Sequence, residues 1–316
     1  MFKNILVTGG AGFIGSHVCE ALLDKGAGVI CVDNFNDYYD PKIKESNIKG
    51  FSQNKNFRLY RCNITDAKKL EEIFKENNLD AIIHIAARAG VRPSIQNPSI
   101  YVKNNVEGTL NMLEMARKFA INKFIFTSSS SVYGLNKVPF SEDMNINNPV
   151  SPYAATKISG ELLCKTYNNL YKVPIVCLRL FTVYGPRGRP DMAPYKFMKL
   201  VLDGKEIPMY GDGTSKRDYT YVSDIVNGII IAMEKEIDFE IINLGNSNPV
   251  DLNKFISILE KHIEKKVEIK QLNEQQGDVP ITYADISKAK KLLGWAPKIG
   301  LDEGIKKMVE WYLNSR

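Results

Sequence analysis

The chain has 316 residues, of which 44% are hydrophobic and 25% are charged, and its formal net charge is +6 at pH 7. This composition is typical of a globular protein with one large domain or two smaller ones. No apolar run approaches the ~20 residues that cross a bilayer. The first residues, MFKNILVTGG, lack the cationic and long apolar regions of a signal peptide, so we expect neither a membrane protein nor an exported one.

The cysteines and histidines favour a cytoplasmic protein without a metal ion. The five cysteines are odd in number and widely spaced, which indicates reduced thiols rather than disulfides. None of the three histidines has a cysteine or aspartate at ligand spacing. Lysine and glutamate alternate in EKHIEKKVEIK (260–270), as on a solvated helix face that leads into an edge strand, so no nucleic-acid partner is expected. The small positive excess suits an anionic small-molecule substrate.

Strand-like and helix-like segments alternate from the N-terminus. A helix is predicted from Phe13 to about Lys25, and further helical stretches separate the short β-rich runs. Those runs are NILVT, GVICV, FRLYR, DAIIHI, KFIFT and PIVCLRL. Near-continuous apolar strands with helices between them predict an α/β fold with a Rossmann-type, doubly wound parallel sheet covered on both faces.

This alternation stops after Leu180, where YGPRGRPDMAP carries three prolines and two glycines in eleven residues. A loop this long and stiff is a candidate active-site element and domain crossing. A helix over 193–203, a glycine-rich turn and the apolar runs DYTYV and EIINLGN follow, and 250–316 is mostly helical with one or two short strands. We therefore expect a first domain over 1–181, which also receives parts of 218–246, and a smaller, mostly helical domain over 182–316.

The stretch VTGGAGFIGSH predicts a dinucleotide site. Gly9 permits a tight turn, Gly12 lets the backbone approach a pyrophosphate, and Gly15 lets the helix pack on the strand. The helix N-terminus then offers free N–H donors to the phosphates. Asp33, at the end of the second strand, would accept hydrogen bonds from the adenosine ribose and repel a 2′-phosphate, so NAD is favoured over NADP.

The stretches SPYAATK and TSSSSVYG supply the candidate catalytic groups. Ser151 is a suitable N-cap and Pro152 a suitable first helical residue, so Tyr153 and Lys157 lie on one face of a helix. A lysine ammonium near a phenol stabilises the phenolate and lowers the tyrosine pKa, which produces a general base or acid. A Tyr/Lys pair at this spacing is common, and its position after the hydroxyl run at 127–131 is what makes it a candidate.

TGGAGFIG, Asp33, TSSSSVYG and YAATK together resemble the extended short-chain dehydrogenase/reductase family, specifically its nucleotide-sugar epimerases and dehydratases. The resemblance continues through RDYTYVSDI (217–225) and GDVPITYADISKAKKLLGW (277–295), nearly the whole chain. It implies that 1–181 binds NAD, that 182–316 binds a UDP-sugar, and that Ser129 assists Tyr153 and Lys157 in catalysis.

The resemblance also assigns the residues that hold NAD. One departure is visible, since relatives usually show GDI where this chain reads CNI (62–64), although an asparagine carbonyl still accepts from the adenine amino group. The expected cofactor contacts are Gly9, Gly12, Phe13, Ile14, Gly15, Asp33, Asn34, Asn36, Asn63, Ile64, Ala86, Ala87, Asn105, Tyr153 and Lys157.

Members of the family share one opening step, in which a tyrosine phenolate takes the proton of the sugar 4-hydroxyl while hydride passes from C4 to NAD. Dehydratases carry an Asp-Glu pair in the SS…VYG stretch and decarboxylases a nearby Glu, whereas this chain has Ser130 and Ser131 there. The resemblance therefore implies an epimerase, in which the 4-keto sugar turns over and accepts the hydride on its other face. NAD would be tightly bound and recycled in each turnover.

The stretches NFNDYYDPKIKESNI (34–48) and YGPRGRPDMA (184–193) resemble UDP-glucuronate 4-epimerases more than UDP-glucose 4-epimerases. Thr127 and Ser128 are then candidates to clamp the glucuronate carboxylate, because the β-keto acid formed by oxidation at C4 loses CO2 readily. For Arg189 the alternative is an ion pair, with Asp191 or another acid, that only stabilises the loop. The substrate contacts implied by the resemblance are Thr127, Ser128, Ser129, Thr182, Arg189, Arg217, Gln275 and Asp278.

Other functions remain open from the residues alone. The enzyme alternative is a UDP-glucose/UDP-galactose 4-epimerase or an epimerase that tolerates N-acetylhexosamines. A different class is a non-catalytic NAD(H)-binding regulator, although such proteins usually lose the tyrosine or the lysine. By the same resemblance, helices near 100–118 and 153–170 form a four-helix bundle between two subunits, which implies a homodimer.

Overall fold

The computed structural model describes residues 2–273 and 279–315. Its strands are, in chain order, β1 (Asn4–Thr8), β2 (Gly28–Asp33), β3 (Phe57–Arg61), β4 (Ala81–His84), β5 (Lys123–Ser129), β6 (Ile175–Leu180), β7 (Thr182–Tyr184), β8 (Ile207–Tyr210), β9 (Lys216–Tyr221), β10 (Phe239–Leu244), β11 (Pro249–Asp251) and β12 (Ile269–Leu272). Its α-helices are α1 (Phe13–Asp24), α2 (Pro41–Ile48), α3 (Ala67–Glu76), α4 (Val91–Gln96), α5 (Pro98–Tyr101), α6 (Gly108–Lys118), α7 (Pro152–Tyr171), α8 (Ala193–Leu202), α9 (Val222–Glu234), α10 (Leu252–Ile263), α11 (Ser287–Leu293) and α12 (Leu301–Asn314).

Seven strands form one parallel sheet in the order β10-β6-β5-β4-β1-β2-β3. The sheet is covered on both faces because successive side chains of its apolar strands point to opposite sides. On β1, Ile5 and Val7 join the core cluster that contains α1 and α9, whereas Leu6 joins the cluster that contains α3, α6 and α7. The predicted fold class, a doubly wound Rossmann-type sheet, is confirmed.

The C-terminal half adds two small sheets. One has the order β11-β9-β7 and the other pairs β12 with β8, and α8, α10, α11 and α12 accompany them. β10, from the same half of the chain, pairs with β6 and forms the edge of the large sheet. The division into domains at 181/182 stays a prediction, since the chain crosses between these parts more than once.

The helix predicted near 100–118 is not regular. It begins as α5, continues as a π-helix over Val102–Glu107 and ends as α6. The wider turn lies where the buried Asn105 binds the neighbouring backbone, with Arg88 N–H donating to Oδ1 (2.7 Å) and Nδ2 donating to Arg88 O (2.9 Å). Such a turn is common near functional sites, and apolar periodicity alone does not reveal it.

In a parallel sheet all carboxyl ends of the strands lie along one edge, which is where ligands bind in this architecture. β1 ends before the glycine-rich loop, β2 ends at Asp33, and β5 ends within the hydroxyl run at Ser129. These three stretches are therefore neighbours in space although they are far apart in sequence. Within the parts of the chain that the structure describes, we find no helix that is long and apolar enough to cross a membrane.

Candidate active site

A cleft of about 370 Å³ lies along the carboxyl edge of the large sheet. Its walls combine residues predicted to hold a dinucleotide with residues predicted to hold a sugar. The predicted site residues that line it are Gly9, Gly12, Phe13, Ile14, Gly15, Asp33, Asn34, Asn36, Asn63, Ile64, Ala86, Ala87, Thr127, Ser128, Ser129, Tyr153, Lys157, Thr182 and Arg189.

The glycine-rich loop has no room for side chains where the dinucleotide site was predicted. Gly9 has φ +68°, and a Cβ there would stand 3.0 Å from the backbone of Ala86. A Cβ on Gly15 would overlap the carbonyl oxygen of Gly9, so the loop lies directly on the first turn of α1. No side chain caps α1 at Gly12, which leaves the N–H groups of its first turn for an anion.

Asp33 is buried at the end of β2 and already has protein partners. Its Oδ1 accepts the Phe35 N–H (2.9 Å) and the Lys44 ammonium (2.8 Å). Its Oδ2 accepts only a longer bond from the Ala11 N–H (3.3 Å), and a carboxylate oxygen can accept more than one donor. Asp33 can therefore still receive a ribose hydroxyl while Lys44 compensates its charge.

Tyr153 lies in the first turn of α7. The Ser151 Oγ accepts from the Ala154 N–H (3.1 Å) and Pro152 is the first helical residue, so the helix begins as the sequence predicts. Burial raises the pKa of the Tyr153 phenol, whereas the Ser129 hydroxyl and the Arg189 guanidinium lower it. The phenol is therefore a weak acid in the free protein, and the groups that assist its ionisation are already in place.

Lys157 reaches across to the neighbouring strand. Its Nζ donates to the carbonyl oxygen of Thr127 (2.7 Å), and burial lowers its pKa to about 8 although Glu161 opposes this shift. The ammonium also lies 5.0 Å from the centre of the Phe126 ring. The same ring would collide with any Cβ on Gly160, so α7 lies very close to β5 at this point.

The hydroxyls of Thr127 and Ser128 are engaged with protein oxygens. Thr127 Oγ1 donates to His84 O (3.1 Å) and Ser128 Oγ donates to Glu161 Oε1 (2.5 Å). Glu161 in turn accepts two bonds from Arg179 on β6, Nε to Oε1 (2.9 Å) and Nη2 to Oε2 (2.7 Å). A buried ion pair therefore lies directly behind the hydroxyl run, which no sequence pattern indicated.

Arg189 forms the loop-stabilising ion pair considered for it and also lines the cleft. Its Nε and Nη2 donate to the Asp191 carboxylate (3.0 and 2.5 Å), which is the loop-stabilising ion pair. The same guanidinium lines the cleft and acts on the pKa of Tyr153. A guanidinium has five N–H donors, so the pair with Asp191 leaves others for a ligand.

Of the predicted site residues that the structure describes, Asn105 and Arg217 do not line the cleft. Asn105 is buried behind its wall, and the adjacent Asn104 lines it instead. Arg217 lies on β9, with Nη1 donating to Lys216 O (2.9 Å). Gln275 and Asp278 lie outside the described residues, and over the residues that are described no three metal-ligating side chains cluster.

Sequence reasoning missed several residues of the cleft wall. Tyr38 and Lys44 belong to the stretch NFNDYYDPKIKESNI, whose overall likeness to uronate epimerases was noted, although neither side chain was singled out. Arg88 follows the predicted cofactor contacts Ala86 and Ala87 directly and also lines the cleft. Their proximity to the site in sequence was the available signal.

A scan against models of protein families matches residues 6–308 to the family described as GDP-mannose 4,6 dehydratase. The match spans far more than half of the chain. The chain belongs to this family. The expected membership of the extended short-chain dehydrogenases/reductases is thereby confirmed.

Several proteins, some with solved structures, are similar to this chain over nearly its whole length. The UDP-glucuronate 4-epimerase of Thermodesulfobacterium geofontis is 48% identical over 307 residues, 97% of this chain and 95% of that one. The Bacillus cereus UDP-glucuronic acid 4-epimerase, solved with UDP-glucuronic acid and NAD, superposes with a TM-score of 0.94 at 38% identity, covering 99% of this chain and 100% of that one. The Thermotoga maritima UDP-glucose 4-epimerase, solved with UDP-glucose, gives 0.92 at 36% identity, covering 99% of each chain.

In this member of the GDP-mannose 4,6 dehydratase family, the residues present fit a dinucleotide. The uncapped α1, the crowded glycines and the buried carboxylate of Asp33 form one continuous wall of the cleft. Tyr153, Lys157, Thr182 and Arg189 line the same cleft. One cleft thus holds the groups for a cofactor and for a substrate side by side.

Proposed function

We propose that this protein is an NAD-dependent UDP-sugar 4-epimerase that interconverts UDP-glucuronate and UDP-galacturonate through a transient 4-keto intermediate. The observation that carries this function is that the Arg189 guanidinium lies in the same cleft as Tyr153 and lowers its pKa. A cation beside the acid/base group suits a sugar whose C5 substituent is a carboxylate. The similar proteins of Thermodesulfobacterium geofontis and Bacillus cereus support the same substrate.

NAD, held by the glycine-rich loop and Asp33, would supply the hydride acceptor for C4 of the sugar and the hydride for its reduction. Tyr153 takes the proton of the sugar 4-hydroxyl and later gives it back, with the Ser129 hydroxyl holding the reacting oxygen. Lys157 keeps its positive charge close to the phenol and to the hydroxyl run, because its Nζ is held by Thr127 O. Since the hydride returns to the sugar, the reaction has no net redox change and NAD acts as a prosthetic group.

The last two residues of the hydroxyl run favour epimerisation over elimination. Ser130 and Ser131 line the cleft at the positions where family dehydratases have carboxylates. A hydroxyl with an ordinary high pKa is a poor acid or base at neutral pH, so water is not removed across C5 and C6. Reduction at C4 is then the reaction by which this site consumes the 4-keto sugar.

The sugar carboxylate is held on the side of the cleft opposite the dinucleotide wall. Thr182 is the first residue of β7 and Arg189 follows in the loop that leads to α8, and both line the cleft. A guanidinium and a hydroxyl together keep a carboxylate charged and hydrogen-bonded. Thr127 and Ser128 are proposed to add to this clamp, and Arg217 is proposed to pair with the diphosphate.

A UDP-glucose 4-epimerase is the second candidate function, because the Thermotoga maritima enzyme of that name is nearly as similar in structure. An epimerase for N-acetylhexosamines belongs to the same reaction class. A non-catalytic NAD(H)-binding regulator is disfavoured because Tyr153, Lys157 and Ser129 are all present in the cleft. The guanidinium of Arg189 in the cleft is what favours UDP-glucuronate over UDP-glucose.

We also propose a cytoplasmic homodimer. The helices α6 and α7 pack side by side. Leu110 on α6 and Leu162 and Leu170 on α7 are exposed, as is Val102 in the π-helical segment before α6. Leu162 and Leu170 are two helical turns apart on one face of α7, so they form an apolar stripe suited to a second copy. All five cysteines are free and buried, as expected of a protein in a reducing compartment.

Product analysis tests the proposed function. The purified protein is incubated separately with UDP-glucuronate, UDP-glucose and UDP-N-acetylglucosamine, without added NAD, and the UDP-sugars are separated. We expect conversion of UDP-glucuronate to UDP-galacturonate at a higher kcat/KM than either neutral sugar. Conversion of UDP-glucose alone would establish the second candidate, and binding of NADH without any conversion would establish a regulator.

A further inference from the structure

The segment from Asp33 to Tyr38 runs along the cleft and is held in one conformation by its own side chains. Three carboxylate or amide side chains each accept the backbone N–H two residues on: Asp33 from Phe35 (2.9 Å), Asn34 from Asn36 (3.1 Å) and Asn36 from Tyr38 (3.1 Å). Such consecutive Asx turns fix the backbone without a helix or strand. The segment therefore starts at the adenosine-binding carboxylate and ends with Tyr38 at a defined place.

Tyr38 lines the cleft, and its hydroxyl is anchored to the backbone. Its hydroxyl donates to Ala89 O (2.8 Å), and Ala89 precedes Gly90, where a Cβ would stand only 2.8 Å from the same hydroxyl. Gly90 also has φ +109°, which a larger residue rarely adopts. The backbone at Gly90 is thus shaped to let the Tyr38 ring approach closely.

Two guanidinium groups converge on the ring of Tyr38. Arg88 lies 4.6 Å and Arg189 lies 5.5 Å from the ring centre, and both line the cleft. Arg88 is held from its other side by Asn36 Oδ1 (Nη1, 3.2 Å), and Arg189 by Asp191. Asp191 also accepts a longer bond from the Tyr38 hydroxyl (3.3 Å), so one carboxylate and two guanidiniums surround one aromatic ring.

The charges around Tyr38 sum to one positive charge. Two guanidiniums contribute two positive charges and Asp191 contributes one negative charge, so a single carboxylate would make the group neutral. Arginine side chains are long and lose much rotational freedom when they are fixed, and an aromatic face that holds a guanidinium in advance removes that cost from binding. An anion that enters beside the ring meets a donor array that is already oriented.

We propose that Tyr38 is a positioning residue that selects acidic UDP-sugars, because its ring orients the guanidinium of Arg189 toward the sugar C5 carboxylate. This deepens the proposed function and rests on it for the identity of the sugar. The ring does not touch the reacting atoms and acts through Arg189. Asn36 belongs to the segment that begins at Asp33 and also accepts from Arg88, so it joins the predicted cofactor contacts to the arginines beside Tyr38.

The test measures dissociation constants of the full-length protein for three probes: UDP-glucuronate, UDP-glucose and UDP. The variants are Tyr38→Leu, Tyr38→Phe, Arg189→Ala and the double variant Tyr38→Leu/Arg189→Ala. Tyr60→Leu, on β3 outside the cleft, is the matched control. Removing the ring is expected to weaken UDP-glucuronate about tenfold, the size of one cation–π contact, and the two neutral probes less than about twofold.

The phenylalanine variant separates the ring from its hydroxyl and covers the case in which the leucine variant fails to fold. It keeps the ring, so its loss for UDP-glucuronate should stay below about threefold. In the Arg189→Ala background the tyrosine replacement should have no further effect, since the group it positions is gone. An equal loss for all three probes, or an undiminished loss in that background, overturns the proposal.

The dissociation constants test the role of Tyr38 separately from the proposed epimerase activity. If the unaltered protein binds UDP-glucuronate more tightly than UDP-glucose yet forms no UDP-galacturonate, the proposed reaction fails while the role of Tyr38 is still decided by the double-variant comparison. If the unaltered protein shows no preference for UDP-glucuronate over UDP-glucose, the selective role of Tyr38 is refuted as well.

Discussion

Arg179 on β6 and Glu161 on α7 form a two-bond ion pair in which both side chains are almost completely buried, 2% and 3% exposed. Glu161 also accepts the Ser128 hydroxyl, and Arg179 Nη1 donates to the Tyr133 hydroxyl (2.9 Å). The pair therefore joins α7 to β6 and, through Ser128, to β5, at whose end the hydroxyl run lies. A buried pair of this kind costs much desolvation, but breaking it leaves one uncompensated charge in the interior.

Replacement of one partner of this pair should destabilise the protein strongly. For Arg179→Met we expect a loss of about 3–5 kcal/mol in the free energy of unfolding, measured by urea titration, because the Glu161 carboxylate stays buried without its partner. The double variant Glu161→Met/Arg179→Met should recover much of the loss. Lys69→Met, which breaks an exposed ion pair with Glu72, is the control and should change stability little. A similarly small change for Arg179→Met would show that the buried pair is dispensable.

Tyr153→Phe should lower kcat for UDP-glucuronate by about 10²–10⁴-fold, because the proton of the sugar 4-hydroxyl loses its acceptor. The ring is retained, so the affinity for NADH, followed by its fluorescence, should be unchanged. Tyr60→Phe removes a phenolic hydroxyl that donates to Glu76 on the surface and should leave turnover unaltered. Normal turnover by the Tyr153 variant would refute the assigned acid/base role.

The hydroxyls behind the sugar should suppress loss of CO2. Thr127→Ala and Ser128→Ala are expected to release a UDP-pentose from UDP-glucuronate, because the bond from C5 to the carboxylate is then free to stand perpendicular to the plane of the 4-ketone, the orientation from which CO2 leaves readily. These hydroxyls donate to His84 O and to Glu161, so clamping requires each to exchange its protein acceptor for the substrate.

Chromatography of the UDP-sugar products measures the pentose. Ser159→Ala, which removes a hydroxyl bound to Ala155 O on α7 outside the cleft, is the control and should form none. If the two variants of the hydroxyl run are slower but form only UDP-galacturonate, the clamp is not what protects the intermediate.

Activity should fall on the alkaline side near the pKa of Lys157. Burial lowers that pKa to about 8, so the ammonium is present below pH 8 and is lost as the pH rises above it. A neutral amine no longer favours the phenolate, and kcat/KM should decrease with an apparent pKa about 8. Lys157→Arg, whose guanidinium stays charged, should be slower but should lack this alkaline limb. An unchanged limb in that variant would assign it to another group.

Much of the fold was predictable because its signals are local. Each strand of the large sheet is a short apolar run, and the start of α7 is set by adjacent residues, Ser151 and Pro152. The small sheets were harder to predict, since β7 and β11 have only three residues each and are defined by their partner β9. Apolar periodicity carries too little information over three residues to indicate a strand.

The site was predictable where a motif contains its own partner and unpredictable where partners are distant. The glycines of the first loop stand within one stretch, as do Tyr153 and Lys157. The contact between Tyr38 and Arg189 joins positions 151 residues apart, and the bond between Arg179 and Tyr133 spans 46. Only the folded chain brings such groups together. The local sequence pattern around one residue therefore does not indicate its distant partner.

Gly160 lets α7 lie close enough to β5 for Lys157 to reach the Thr127 carbonyl. It follows Lys157 by three residues on the same side of α7, and its missing side chain makes room for the Phe126 ring between helix and strand. A single methyl group there would push the helix outward, and the ammonium would be drawn away from the Thr127 carbonyl that now holds it. The position of the Lys157 ammonium thus depends on the absence of a side chain at Gly160, a residue that takes no part in the reaction.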